Sequence, residues 1–234
     1  MRVALALCCL AIAGPATAAE PYSCRNGFFP SLLDVVAAGR IADSAGSRVH
    51  FRNDDAGCPE AAACVQKAYL VPGDKVLTAQ RDGAWICGWY FGKRREYVGW
   101  LPVGAVVHEP SSPSVIDDWV GTWTPIAGEN EIVIRRDPAS KGLSAEGTAL
   151  WLGVELPDGS RNVHFGEFSG KGRPAADRWT VGSADEAYDC VVEMRLVAGR
   201  LVVHDNANCG GMNVRFDNIY RKSGPAPDPQ AKGR

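Results

Sequence analysis

Residues Arg178 to Arg221 read RWTVGSADEAYDCVVEMRLVAGRLVVHDNANCGGMNVRFDNIYR. Runs of β-branched and aromatic residues (RWTVG, YDCVVEMRLV, RLVVHD and MNVRFDNIYR) alternate here with clusters of glycine, asparagine, aspartate and serine. That spacing is the mark of short antiparallel strands joined by tight turns. Upstream, WVGTWT, NEIVIRR, LSAEGTALWLG and NVHFGEF carry the same pattern back to Trp119. Together these runs suggest an up-and-down barrel of about eight strands, because closure removes the exposed edges of a sheet.

Toward the N-terminus the pattern persists in a second block. AYLVPGDKV from Ala68, AWICGWY from Ala84 and VGWLP from Val98 are strand-like, with ProGly and AspGly supplying turn chemistry. Alternation along AWICGWY puts Trp85, Cys87 and Trp89 on one face and Ile86 and Tyr90 on the other. Only Pro30 to Ala38 and Pro59 to Gln66 offer short helical stretches. Between the blocks, HEPSSPSVIDD from His108 to Asp118 has the composition of a solvated linker, and KSGPAPDPQAKGR after Arg221 that of a disordered tail. The expected organisation is therefore a signal peptide over 1–19, a first domain over 20–107, a linker over 108–118, a barrel over 119–221 and a tail over 222–234.

The leader rests on Arg2, the apolar stretch Val3 to Ala13 and the small residues Ala16 to Ala19, the order of a secretory signal cleaved near Ala19. Its apolar part is roughly ten residues, about half of what a helix needs to cross a bilayer, so no membrane anchor is expected. Of the eight cysteines, Cys8 and Cys9 fall inside this leader. The remainder, Cys24, Cys58, Cys64, Cys87, Cys190 and Cys209, contains no CxxC pair and reads as a disulfide framework for an oxidising compartment, periplasmic or secreted. The preferred pairs are Cys190 with Cys209, Cys58 with Cys64 and Cys24 with Cys87, although spacing alone fixes neither of the last two. A formal net charge of −2 with interspersed signs argues against nucleic acid as a partner.

From Ile41 to Val107 the chain resembles the bacterial SH3 family: a strand before a PGD turn, a glycine and tryptophan opening the next strand, and a closing GW followed by an apolar residue. The cysteines and the KRRE loop at Lys93 to Glu96 depart from that pattern. The resemblance implies a small five-stranded barrel that binds cell-wall peptides or other extended ligands without catalysis. Tyr69, Trp85, Trp89, Tyr90, Tyr97 and Trp100 are its candidate ligand-binding aromatics, since rigid rings offer large contact area at low entropic cost. In the second block, Gly121 and Trp123 form a GxW on the first strand and Arg221 ends the last. That combination resembles the calycin group, which includes the lipocalins, and implies an arginine stacked on the tryptophan to plug one barrel end. The compact barrels of periplasmic lysozyme inhibitors are similar too. The expected fold class is thus all-β, an N-terminal SH3-like small barrel followed by an antiparallel up-and-down β-barrel.

The densest polar cluster is HDNANCGGMN, from His204 to Asn213. It reads first as a hairpin stapled by Cys209. Asp205, Asn206 and Asn208 are also candidate oxygen donors to a polar ligand, but a complete calcium loop is missing and no metal or other cofactor is expected. A catalytic reading would have to use Cys209 with His204, a set already compromised by the disulfide that Cys209 can form. Glu146 and Glu167 are the remaining carboxylate pair, suggestive of a glycosidase only if both face the barrel interior, and His50, His108 and His164 are isolated. Two functions follow as expectations. One is a binding protein for cell-wall peptide or peptidoglycan, and the other an inhibitor of a periplasmic cell-wall hydrolase that presents the HDNANCGG loop.

Overall fold

The computed structural model describes residues 23–25, 29–93, 95–110, 113–182 and 185–227. The leader and the last seven residues of the chain lie outside them. The fold is all-β and contains two antiparallel sheets.

The first sheet has seven strands: β1 (Ala37–Ile41), β2 (Val49–Arg52), β3 (Val65–Leu70), β4 (Lys75–Asp82), β5 (Trp85–Phe91), β6 (Glu96–Pro102) and β7 (Val106–His108), in the order β3-β2-β6-β5-β4-β1-β7. Five of these, β2 to β6, fall within the span read as a five-stranded barrel, and β1 and β7 extend the sheet beyond β4. The expected helical stretches are single 3-10 turns at Pro30–Leu32 and Ala62–Cys64. One face encloses Ile41, Val49, Phe51, Leu70, Val76, Ile86, Leu101 and Ala105. As the alternation of β5 requires, Trp85, Cys87 and Trp89 point the other way.

The second sheet contains β8 (Gly121–Thr124), β9 (Glu131–Asp137), β10 (Gly142–Glu155), β11 (Arg161–Gly172), β12 (Arg178–Val181), β13 (Val192–Val197), β14 (Arg200–Asp205) and β15 (Asn218–Gly224). Every strand pairs with its neighbour in sequence except β11 with β12, and β15 pairs with β8, which makes a nearly closed up-and-down barrel. Where β11 meets β12, Gly170 and Gly172 abut Val181 and Trp179, and side chains rather than a ladder fill the gap. The interior is packed with Trp119, Trp123, Trp179, Phe168, Phe216 and Tyr220.

Several boundaries differ from the sequence reading, each for a local reason. Helix α1 (Ile116–Trp119) occupies the end of the segment read as linker and drives Trp119 into the barrel, edge-on to Trp179. The cation over Trp123 is Lys222, 5.1 Å from its ring centroid, and not Arg221. Register explains the exchange: Lys222 lies opposite Trp123, whereas Arg221 lies opposite Thr124 and faces the other side. β15 begins at Asn218 and not at Met212, because the Asp205 carboxylate captures the backbone N–H of Phe216 and bends the chain away. It also runs on to Gly224, and Pro225 and Pro227 accept hydrogen bonds from Thr122 and Arg135, so the described part of the expected tail is tied down.

The two sheets share a core. Val197, Val202 and Ile219, on the outer face of β13 to β15, pack with Phe29, Leu33, Leu77, Ala79 and Trp89 of the first block. Arg195 clamps the junction, with Nη1 donating to the carbonyls of Leu33 (2.7 Å) and Val36 (2.6 Å) and Nε paired with Asp177 (2.7 Å). Three disulfides complete the framework: Cys24–Cys87, Cys58–Cys64 and Cys190–Cys209. These are the expected pairs, and they suit a protein that folds in an oxidising, extracellular-type compartment. Among the described residues, no helix is long and apolar enough to cross a membrane.

Candidate functional site

β2 alternates strictly, sending Val49 and Phe51 into the core and His50 and Arg52 outward, with Arg48 just before the strand on the same side. Each of these three side chains meets an aromatic ring. The Arg48 guanidinium lies 4.5 Å from the Tyr69 centroid, the Arg52 guanidinium 4.8 Å from that of Trp85, and the His50 ring 5.5 Å from that of Tyr69. The pairing of His50 with Tyr69 across β2 and β3 places those two together. Stacking on a ring orients a guanidinium without neutralising it.

The Cys58–Cys64 loop holds two side chains of this site in place. Arg52 Nη1 donates to the carbonyls of Pro59 (2.9 Å) and Ala61 (3.0 Å), and Trp85 Nε1 donates to the Glu60 carboxylate (2.7 Å). Beside β2 runs an open groove of about 460 Å³, lined among others by Arg48, His50, Arg52, Val65, Trp85 and Pro102. Among the described residues, neither Arg48 nor Arg52 is paired with a carboxylate. Arg48, His50 and Arg52 stand at two-residue steps about 7 Å apart, the repeat of one face of an extended peptide. The groove thus presents two stacked guanidinium groups and an imidazole along β2.

Only part of the expected aromatic set reaches this groove. Tyr69, 43% exposed, and Trp85 border it. Trp89 and Trp100 are buried in the core between the sheets, and the Trp100 indole donates to Asp54 Oδ1 (2.7 Å). Tyr90 and Tyr97 face each other across β5 and β6 and pack on the core of the first sheet. The arginine half of the site went unread in the sequence, although its signal is present in RVHFR, Arg48 to Arg52, where polar and apolar residues alternate with period two.

The loop after β14 is differently employed. Asp205 is buried and accepts from the backbone of Ala207 and Phe216 while pairing with Arg215. Asn206 accepts from Val191 N–H and donates to the Asp189 carbonyl, and Asn208 donates to the carbonyls of Ala187 and Asp189. All three side chains thus serve to hold the loop itself. His204 Nδ1 lies 2.5 Å from Asp217 Oδ1, and burial pushes the Asp217 carboxyl above the usual range, opposed by this contact and by Arg215. Cys209, bonded to Cys190, has no thiol to offer as a nucleophile. Glu146 and Glu167 point to the barrel exterior, not the interior, since both extend the exposed row through Thr148.

No family model, curated protein or solved structure matches the chain.

Proposed function

We propose that this is a secreted, periplasmic-type binding protein whose β2 groove takes up an extended, carboxylate-bearing peptide of the kind found in cell-wall peptidoglycan. The reading keeps the SH3-like assignment of the first sheet as part of the proposal. The observation that carries it is the row Arg48, His50 and Arg52, held against Tyr69 and Trp85, with neither guanidinium paired to a carboxylate among the described residues. A ligand carboxylate there gains a charge-assisted hydrogen bond, and the rings supply apolar area beside it. No step of bond making is required of these groups, and none is proposed. Isothermal titration of the full chain with soluble muropeptides tests the reading. Saturable binding that weakens with added salt and is lost in R48Q/R52Q supports it, whereas absence of binding at low salt removes it.

A second reading, inhibition of a cell-wall hydrolase by the loop from His204 to Gly211, is favoured by one observation. The Cys190–Cys209 bridge and the internal hydrogen bonds of Asp205, Asn206 and Asn208 preorganise that loop, which lowers the cost of ordering it on association. Wall hydrolases assayed with a large molar excess of the protein decide the point, and unchanged rates exclude this role for the enzymes tried.

A further inference from the structure

The longest strands of the barrel outrun their neighbour. β9 begins only at Glu131, opposite Thr148, but β10 continues to Glu155 and pairs only with β11 from there on. The β10 edge from Leu150 to Glu155, about 20 Å long at the usual rise per residue, has no strand partner on the β9 side among the described residues. Backbone groups along such an edge are a template for another strand.

The side chains around that edge are apolar and exposed. Leu150 lies opposite Phe165 and Leu152 opposite Val163, so all four share the outer face of the hairpin. Phe165 is 71% and Val154 84% exposed. Of the large apolar side chains exposed in the described residues, those of Leu152, Val154, Leu156, Val163, Phe165, Tyr188 and Met212 are all at this end of the barrel, against six over the rest of the molecule. Such clustering on a projecting edge distinguishes a docking surface from scattered exposure.

Charge identifies the occupant. Glu131 lies opposite Thr148 and Thr148 opposite Glu167, which puts both carboxylates on the same outer face as Leu150 and Phe165. Glu129 and Glu167 border a groove of about 650 Å³ whose lining includes Leu150 and Phe165. The arginines near this face are already engaged, Arg135 with Glu146 and Arg161 with Glu155. Glu129, Glu131 and Glu167 are exposed and have no cation partner among the described residues.

The geometry points to a second docking site, distinct from the β2 groove: the free β10 edge and the Phe165 face bind an extended segment of a partner protein in which lysine or arginine alternates with apolar residues. Main-chain pairing along β10 gives affinity, the apolar face takes alternate side chains, and the glutamates select for positive charge. Titration of the full chain with the peptide Lys-Val-Lys-Val-Lys-Val-Lys, and with its Glu-Val counterpart, tests this. The lysine peptide is expected to bind and the glutamate peptide not. E129Q/E167Q should weaken binding about tenfold, and V154K more, while both variants keep the wild-type melting temperature because the altered side chains are exposed. Equal affinity for the two peptides, or an affinity unchanged in E129Q/E167Q and V154K, overturns the proposal. So does a wild-type dimer in sedimentation that V154K dissociates, since the occupant would then be a second copy of the chain.

Discussion

Asp54 joins three parts of the first sheet through one carboxylate. It accepts from Ser23 Oγ (2.8 Å) and Arg25 Nε (3.1 Å) on the N-terminal segment and from Trp100 Nε1 (2.7 Å) on β6. Burial pushes this carboxyl up, but the hydrogen bonds from Ser23, Trp100, the Cys24 backbone and Arg25 outweigh it and hold it below its ordinary value. A carboxyl depressed in the folded state contributes stability that is present above its unfolded value, near pH 4, and is lost as pH falls through the folded value. Asp54→Asn should therefore destabilise the protein by about 1–3 kcal/mol at neutral pH. Thermal melts should show the gap between wild type and variant closing on acidification below about pH 4. A constant gap across that range would contradict the assignment. Composition does not betray such a residue, because the three donors converge on it from positions far apart in the chain. The same limit applies to the binding groove: Tyr69 and Trp85 stood among six candidate aromatics that the sequence did not separate, and that Arg48 and Arg52 would lie over them depends on the β2–β3 register and on the position of Trp85 across the sheet.

Among the elements, the turns were the most legible and the irregular edges the least. The Cys190–Cys209 bridge, with a sequence separation of 19, closes the strand pair β13–β14 where asparagine and glycine marked a turn. Restricting the unfolded chain over such a loop is worth roughly 3 kcal/mol. Cys190→Ser should lower the melting temperature correspondingly and release Cys209 as a titratable thiol, whereas the folded, unreduced wild type should give a thiol count near zero. One reactive thiol mapped to Cys209 in the wild type would contradict the bridge. Strand periodicity located all eight barrel strands, but it misjudged the start of β15, since nothing in MNVRF signals that Asp205 will take the Phe216 N–H. The overlength of β10 relative to β9 was equally hidden, for it is fixed by pairing partners and not by the strand's own residues.

In the molecule as a whole, the decisive feature is that the barrel has apolar residues on both faces of β13 to β15. Leu201 and Val203 point inward, and Val202 between them joins the core shared with the first sheet. The consecutive apolar run in RLVVHD was the sequence signal for this, because a strand solvated on one face alternates and a strand covered on both does not. A solvated linker between two blocks gave no reason to look for it. Burial of Val202 between the sheets predicts that they unfold together: a single cooperative transition should be seen in wild type, and Val202→Asp should destabilise both sheets by several kcal/mol through an unpaired buried charge. Separate transitions would contradict the shared core. Glu96 reports on the same junction. Burial raises its carboxyl, and the Trp89 indole and the charges of Arg200 and Arg221 oppose this without cancelling it. A carboxyl raised on folding favours the folded state below its unfolded value and loses that contribution as pH rises through the folded one. The melting temperature of Glu96→Gln relative to wild type should accordingly rise as pH is raised above the ordinary glutamate value, near pH 4. The central claim, that the row of cations on β2 grips carboxylates of an extended wall peptide, is tested most directly by co-sedimentation of the full chain with purified peptidoglycan. Wild type and E129Q/E167Q should pellet with the wall, while R48E and R48Q/R52Q, verified as folded by their melts, should remain in the supernatant. Wild type left in solution while a known wall binder pellets, or R48E and R48Q/R52Q pelleting as well as wild type, would contradict the account.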